Sequence, residues 1–202
     1  MNLYCEIFVF CLARRLSIQI YVVGAVSSGL LSPSGPDTIS KMSHAFESHI
    51  QKLTPELFSF GVALVPDDLQ AQQIVIDAVA AFVVESKGIV VAYERAEDEE
   101  MRKVILIEVK KQLMRNMFQI GKRRCEQLSS LCQDVNKFQT FYKLPVLERA
   151  VLFLKHKGIA DFSDIEFVTG VERLEIISRL NYAREELVTN SGSSSQEDLI
   201  PT

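Results

Sequence analysis

The spacing of apolar residues constrains this chain more than any other feature. From Met42 onward, apolar residues recur at steps of three and four, and glycine and proline are few. Such steps follow one face of an α-helix, whereas a half-buried strand would show strict alternation. Apolar residues make up 48% of the chain, which is enough to bury a core. The sequence therefore predicts an all-α fold.

The helical pattern divides into two small domains joined by a linker, the second of them a helix-turn-helix. The predicted boundaries are 42–125 for the first domain, 126–142 for the linker, 143–188 for the second domain and 189–202 for a flexible tail. Within the first domain, Thr54 is the expected N-cap of a helix that restarts at Pro55. Residues 88–93 fit a strand or part of a loop.

Residues 1–41 form an apolar extension whose status the sequence leaves open. They are strongly apolar, but Glu6, Arg14 and Arg15 interrupt the pattern, and the uncharged run that follows is rich in serine. Three interpretations remain: a native start at Met42, an accessory or membrane-associated segment, or a signal peptide, which the charge placement fits only loosely.

Several classes of site find no support in the sequence. The four cysteines form no Cys-x-x-Cys pair, and the three histidines lie far from them in the spacing that metal ligands need. The chain has no glycine-rich phosphate loop and no nucleophile motif. We therefore predict no enzyme, metal, cofactor or small-molecule substrate, and reduced thiols in a cytoplasmic protein.

The charge of one helix differs sharply from that of the whole chain. The formal net charge of the protein is −4, yet residues 101–124 contain eight basic residues against one acid, Glu108, a local charge of +7. We call residues 101–124 the basic helix. A helix with this many positive charges and a single negative one favours contact with phosphates over simple solvation.

The second domain carries the signals of two helices joined by a tight turn. Asp161 can cap a helix from Phe162, and Gly170 supplies the turn before a helix that starts at Glu172. We call residues 172–188 the recognition helix. Its expected inward residues are Leu174, Ile177, Leu180 and Ile176.

These two blocks resemble a bacterial RNA polymerase sigma factor of the small extracytoplasmic-function class. In the second block, the family pattern of Leu-Pro, Glu-Arg and an apolar helix is matched by Leu144, Pro145, Glu148, Arg149, Val151, Leu152 and Leu154. The family's recognition segment is matched by Gly170, Val171, Ile176, Ser178, Arg179, Leu180, Ala183 and Arg184.

The resemblance implies a protein that binds core RNA polymerase and promoter DNA, with an anti-sigma protein as a further partner. The implied DNA-binding residues of the recognition helix are Arg173, Ser178, Arg179, Asn181 and Arg184. Those of the basic helix are Lys110, Lys111, Arg115, Lys122, Arg123 and Arg124. The implied polymerase-binding residues are Gln72, Gln73 and Asp77.

Two departures from the family pattern keep an alternative open. The stretch from Thr169 to Leu187 carries four glutamates against three arginines, and Gln72, Gln73 and Ile76 replace acidic and polar residues that are usual in the family. These features fit a sigma-like regulator or interaction protein that has lost polymerase or DNA binding. A free-standing helix-turn-helix regulator is a third interpretation, which leaves the first block unexplained.

Overall fold

The computed structural model describes residues 44–128, 139–157 and 161–192. These residues form eight helices and no strand, which confirms the predicted all-α class. They belong to one compact unit, Met42–Thr202. The predictions made for residues 1–41 lie outside the described residues.

The first four helices follow one another with short connections. In chain order they are α1 (His44–Leu64), α2 (Asp68–Glu85), α3 (Lys87–Arg95), α4 (Glu99–Leu128), α5 (Gln139–Lys143), α6 (Val146–His156), α7 (Phe162–Thr169) and α8 (Arg173–Gly192). Helix α4 continues past the predicted domain boundary at 125, and α8 continues into the predicted tail. The rest of that tail, residues 193–202, lies outside the described residues.

Helix α1 runs without a break through Pro55, so the predicted restart at this residue is wrong. Thr54 does not act as an N-cap, because its hydroxyl donates back to the Ile50 carbonyl at 3.1 Å. The reason is tertiary. Buried residues on both sides of Pro55, among them Ile50 and Leu57, continue one apolar stripe, and burial of that stripe outweighs the hydrogen bond that proline removes.

Residues 88–93, which the sequence left as a strand or a loop, lie in helix α3. Val90 is buried, and Ile89 and Tyr93 pack against the core at helical spacing. The aromatic rings of Tyr93 and Phe46 meet edge to face with centroids 5.3 Å apart. Packing against α4 and α2, together with this ring contact to α1, therefore decides the conformation of a segment whose β-branched residues are ambiguous by themselves.

Helix α4 is the central element of the fold and contacts α1, α2, α3, α6 and α7. Val109, Leu113 and Met117, which are apolar residues spaced four apart along this helix, are buried. Gly121 faces Leu64 so closely that a Cβ atom would lie 2.9 Å from the Leu64 Cδ1. The absence of a side chain at Gly121 thus lets α4 approach α1.

The last four helices pack on the first four. The rings of Phe60 in α1 and Phe153 in α6 lie 5.5 Å apart between centroids. The Tyr142 hydroxyl in α5 donates to the Val62 carbonyl at 2.9 Å. The two predicted domains consequently share a core in this structure. Among the described residues, no helix is long and apolar enough to cross a membrane.

Candidate nucleic-acid interface

The turn between α7 and α8 is built as the sequence predicted. Gly170 adopts φ 70°, in the left-handed region that favours glycine. Its N–H donates to the Glu166 carbonyl at 2.8 Å and closes the end of α7. The Thr169 hydroxyl donates to the Ile165 carbonyl at 2.7 Å within the same turn. These bonds fix the direction in which α8 leaves α7.

Asp161 caps the start of α7, as predicted. One of its carboxylate oxygens accepts from the Asp164 N–H at 2.8 Å and from the Ser163 hydroxyl at 2.8 Å. The Asp164 N–H, and after it the Ser163 hydroxyl, hold the pKa of Asp161 below its ordinary value. The ionised carboxylate therefore stabilises the folded chain above the unfolded-state pKa, and this contribution is lost as the pH falls through the folded-state pKa.

We expect Asp161→Ala to lower the melting temperature at pH 7 and to have a smaller effect at pH 3, because the stabilisation by the carboxylate is lost progressively as the pH falls below the unfolded-state pKa and through the lowered folded-state pKa. Asp161→Asn keeps an N-cap acceptor without the titration, so its melting temperature is expected to exceed that of Asp161→Ala at pH 7. Thermal unfolding followed by circular dichroism at both pH values measures this. An equal loss for Asp161→Ala at pH 7 and pH 3 would contradict the assigned role of the carboxylate.

One side of helix α8 is buried in the protein and the opposite side is exposed to solvent. Ile176, Leu180, Ala183 and Leu187 are buried at steps of four, three and four. Leu174, expected to face inward, is 81% exposed, so that prediction is wrong. It lies two residues from Ile176, about 200° around the helix, and thus on the opposite side.

Three residues of the recognition helix stand free on its exposed side. Ser178, Asn181 and Arg184 are exposed, as predicted. Among the described residues, none of the three makes a side-chain hydrogen bond or ion pair. Asn can pair with adenine, and Arg with guanine or phosphate, so this side carries groups that can contact DNA.

Arg179 is also exposed, but its guanidinium makes ion pairs within the protein. Its guanidinium donates to Glu148 at 3.0 Å and to Glu175 at 3.1 Å. Glu148 lies in α6 and is only 1% exposed. Hydrogen bonds to Glu175 and then to Glu148 raise the pKa of Arg179 further above its ordinary value. Arg179 therefore links α8 to α6, and a base contact would have to compete with these two carboxylates.

Arg173 lies at the start of α8 beside an aromatic ring. Its guanidinium carbon is 5.1 Å from the centroid of the Phe162 ring, and Lys155 Nζ lies 4.3 Å from the same centroid. Sequence reasoning missed Lys155. Its position in the last turn of a helix was the available signal, but only the fold brings it next to Phe162.

Most of the basic helix is occupied by contacts within the protein. Lys110 pairs with Glu56 at 2.7 Å, and Arg124 binds Asp77 at 2.5 Å and Gln70 at 2.7 Å. These contacts tie α4 to α1 and α2. Basic side chains that the sequence assigned together to DNA contact are therefore bound to residues of two different helices.

Two more residues of the basic helix contact side chains of α7. Lys111 forms an ion pair with Asp164, and the hydrogen bond that its ammonium group donates to this carboxylate raises the pKa of Lys111. The guanidinium of Arg115 lies 5.0 Å from the centroid of the Phe167 ring. The remaining two, Lys122 and Arg123, are exposed and make no ion pair among the described residues.

The residues assigned to polymerase lie on α2 beside the end of α4. Asp77 accepts from Gln73 Nε2 at 2.8 Å in addition to its bond with Arg124. Gln73 is exposed and Gln72 is half-buried. The structure thus joins a predicted polymerase-binding residue, Asp77, to a predicted DNA-binding residue, Arg124, in one ion pair.

The described residues contain no group of three or more histidine, cysteine, aspartate or glutamate side chains that could hold a metal ion. Comparison of the chain with models of known protein families, with curated proteins and with solved structures finds no match.

Proposed function

We propose that the chain is a sigma-type factor that binds core RNA polymerase and directs transcription from promoter DNA, with α7, Gly170 and α8 as its helix-turn-helix. The observation that carries the proposal is the division of α8 into a buried stripe and an exposed side with free Ser178, Asn181 and Arg184. A recognition helix needs both: one side to anchor it and one to contact base edges. This function implies a cytoplasmic location and requires no catalysis.

In this proposal the residues divide into readers and positioning residues. Asn181 contacts a base edge in the major groove, and Arg184 contacts either a guanine or the backbone. Arg179 positions α8 through its ion pair with the buried Glu148. In this proposal Arg179 is a positioning residue and not a DNA-contacting one, because its N–H groups already donate to the carboxylates of Glu148 and Glu175.

Lys122 and Arg123 supply the attraction to phosphates. They are exposed basic residues near the end of the basic helix. Each cation that neutralises a phosphate steepens the salt dependence of binding. The other four predicted residues of this helix contribute mainly through the packing described above.

Replacing both residues, Lys122→Ala with Arg123→Ala, is expected to reduce the salt dependence of binding to a mixed-sequence DNA duplex. The slope of log K against log salt concentration should become shallower by about 2, roughly 0.9 for each lost phosphate contact. Fluorescence anisotropy at several salt concentrations measures the slope. A matched control, Lys87→Ala with Lys103→Ala, removes the same charge from exposed sites outside the assigned interface and should leave the slope unchanged.

If both double variants alter the slope equally, the protein attracts DNA through its overall charge, and Lys122 and Arg123 have no special role. A wild-type protein that shows no salt-dependent binding at all would remove the DNA assignment. Melting temperatures of both variants, expected to stay near that of the wild type, separate loss of contact from loss of fold.

Polymerase binding is tested by co-elution of a chain that begins at Met42 with purified bacterial core RNA polymerase on a sizing column. We expect a stable complex with the wild type. The substitution Gln73→Lys adds a positive charge to the exposed surface of α2 and should weaken this complex. Retention of the complex with this variant would move the docking surface elsewhere on the chain. Absence of any complex with the wild type would overturn the sigma-factor proposal.

A second candidate is a sigma-like regulator or interaction protein that has lost polymerase or DNA binding. One observation favours it: Lys110, Lys111, Arg115 and Arg124 are all engaged within the fold. A surface that captures an opened promoter strand needs its cations free for the backbone. DNA binding without a polymerase complex, or neither activity, would support this candidate.

A further inference from the structure

A cavity lies between the end of α4, the start of α6 and the turn that precedes α8. Its volume is about 350 Å³, and its lining includes Cys125, Pro145, Val146, Thr169 and Val171. Cys125 is half-buried at the wall of this cavity. A small reagent can therefore reach its sulfur without unfolding of the helices.

The side chain behind Cys125 is a buried cation. Arg149 in α6 is 5% exposed, and its Nη2 donates to the Cys125 Sγ at 3.6 Å. Its guanidinium carbon lies 5.5 Å from the centroid of the Tyr142 ring. Among the described residues, Arg149 has no carboxylate within ion-pair distance, and its Nε has no hydrogen-bond partner.

An arginine stays protonated, and a buried charge needs an opposite charge nearby. The group that can supply it here is the sulfur of Cys125. As a thiol, Cys125 donates to the Leu64 carbonyl at 3.3 Å while it accepts from Arg149. As a thiolate, it would lose the first bond and become the counter-ion of Arg149.

Two other charged side chains line the same cavity. Lys122 and Glu126, which line the cavity on α4, are exposed and opposite in sign. The Tyr142 hydroxyl donates to the Val62 carbonyl rather than to the sulfur. From α1, the group that faces Cys125 is the uncharged Leu64 carbonyl. Among the described residues, Arg149 is thus the charged side chain whose hydrogen bond reaches the sulfur.

We propose that Cys125 is a reactive thiolate, held by Arg149, and a site of modification by peroxides and soft electrophiles. With hydrogen peroxide, the thiolate sulfur attacks one peroxide oxygen, the O–O bond breaks, and hydroxide leaves and takes up a proton as water. The sulfur is oxidised to a sulfenic acid and the peroxide is reduced. An electropositive, partly exposed surrounding is the general condition for such cysteines. This inference is independent of the proposed role in transcription.

The test is alkylation of the full chain by iodoacetamide over a range of pH, with each cysteine followed separately by peptide mass spectrometry. The reference is a synthetic peptide of residues 121–128, which contains Cys125 and its basic sequence neighbours. The thiol of the peptide is expected to titrate near pH 8.5 or slightly below. In the folded chain, we expect the alkylation rate of Cys125 to reach half its maximum at a pH at least about one unit lower than in the peptide.

Arg149→Gln is expected to move the half-maximal pH back to that of the peptide, whereas Arg149→Lys, which keeps the charge, retains part of the shift. Lys103→Gln removes a cation from the same helix, about 33 Å away at 1.5 Å per residue, and should leave the profile unchanged. Circular dichroism verifies that each variant is folded. Treatment with hydrogen peroxide and then dimedone should label Cys125.

Two results would overturn the proposal. One is a half-maximal pH for wild-type Cys125 that equals or exceeds that of the peptide. This result would exclude a stabilised thiolate even if Arg149→Gln fails to fold. The other is an unchanged profile in a folded Arg149→Gln, which would show that Arg149 does not hold a thiolate.

Discussion

Replacement of Phe60 by alanine is expected to lower the free energy of unfolding by about 3–5 kcal/mol, the usual cost of removing a buried phenyl ring. Phe60 is fully buried and packs against Phe153 across α1 and α6. The truncation removes apolar contacts from both helices and leaves a cavity that rigid helices fill only in part. Urea unfolding followed by circular dichroism measures the change.

The form of the transition is as informative as its midpoint. Since α1 and α6 belong to different predicted domains yet share this contact, wild type and Phe60→Ala should each unfold in one cooperative step. Leu174→Ala is the control, because Leu174 is largely exposed and its truncation should change stability by no more than about 0.5 kcal/mol. Two separate transitions, with Phe60→Ala affecting only the first domain, would contradict a shared core.

The second large effect is expected at the ion pair between α8 and α6. Arg179→Met leaves the buried Glu148 carboxylate without its counter-charge. Breaking a fully buried pair costs about 3–5 kcal/mol; here the cost should be lower, because Arg179 is 45% exposed and solvent screens the pair. It should still exceed the effect of Glu175→Ala, which removes only the exposed contact on the same helix, worth about 0.3–0.5 kcal/mol.

A double variant identifies the cause. Glu148→Leu with Arg179→Met removes both members of the pair, and we expect it to recover much of the stability that Arg179→Met loses. Thermal unfolding of the single and double variants closes the cycle. If Arg179→Met leaves stability unchanged but alters DNA sequence preference, Arg179 is a base-reading residue and its link to Glu148 is incidental.

Features that depend on a few neighbouring residues were predictable from the sequence. The N-cap at Asp161 and the turn at Gly170 were both predicted and are both confirmed. Each rests on contacts between residues at most four apart, so the local sequence contains all of the information. The burial of Val109, Leu113 and Met117 in α4 agrees with their spacing of four residues, which places them on one face of a helix.

Features that depend on distant contacts were not predictable. The periodicity of α8 allowed more than one stripe, and contact with α6 and α7 decided that Ile176 faces inward while Leu174 faces solvent. Pro55 looked like a break because its ring removes a hydrogen bond, yet packing of α1 keeps the helix continuous. Tertiary burial outweighed local preference in both cases.

The candidate site shows the same division. The sequence determined which residues carry charge and which helices carry them, including the basic helix and the exposed side of α8. The tertiary structure alone decided which of those charges remain free. Lys111, Arg124 and Arg179 pair with carboxylates on other helices, whereas Lys122, Arg123 and Arg184 have no ion pair within the described part of the chain. The physical reason is that an ion pair requires atoms within about 4 Å, and residues far apart in sequence reach that distance only through helix packing.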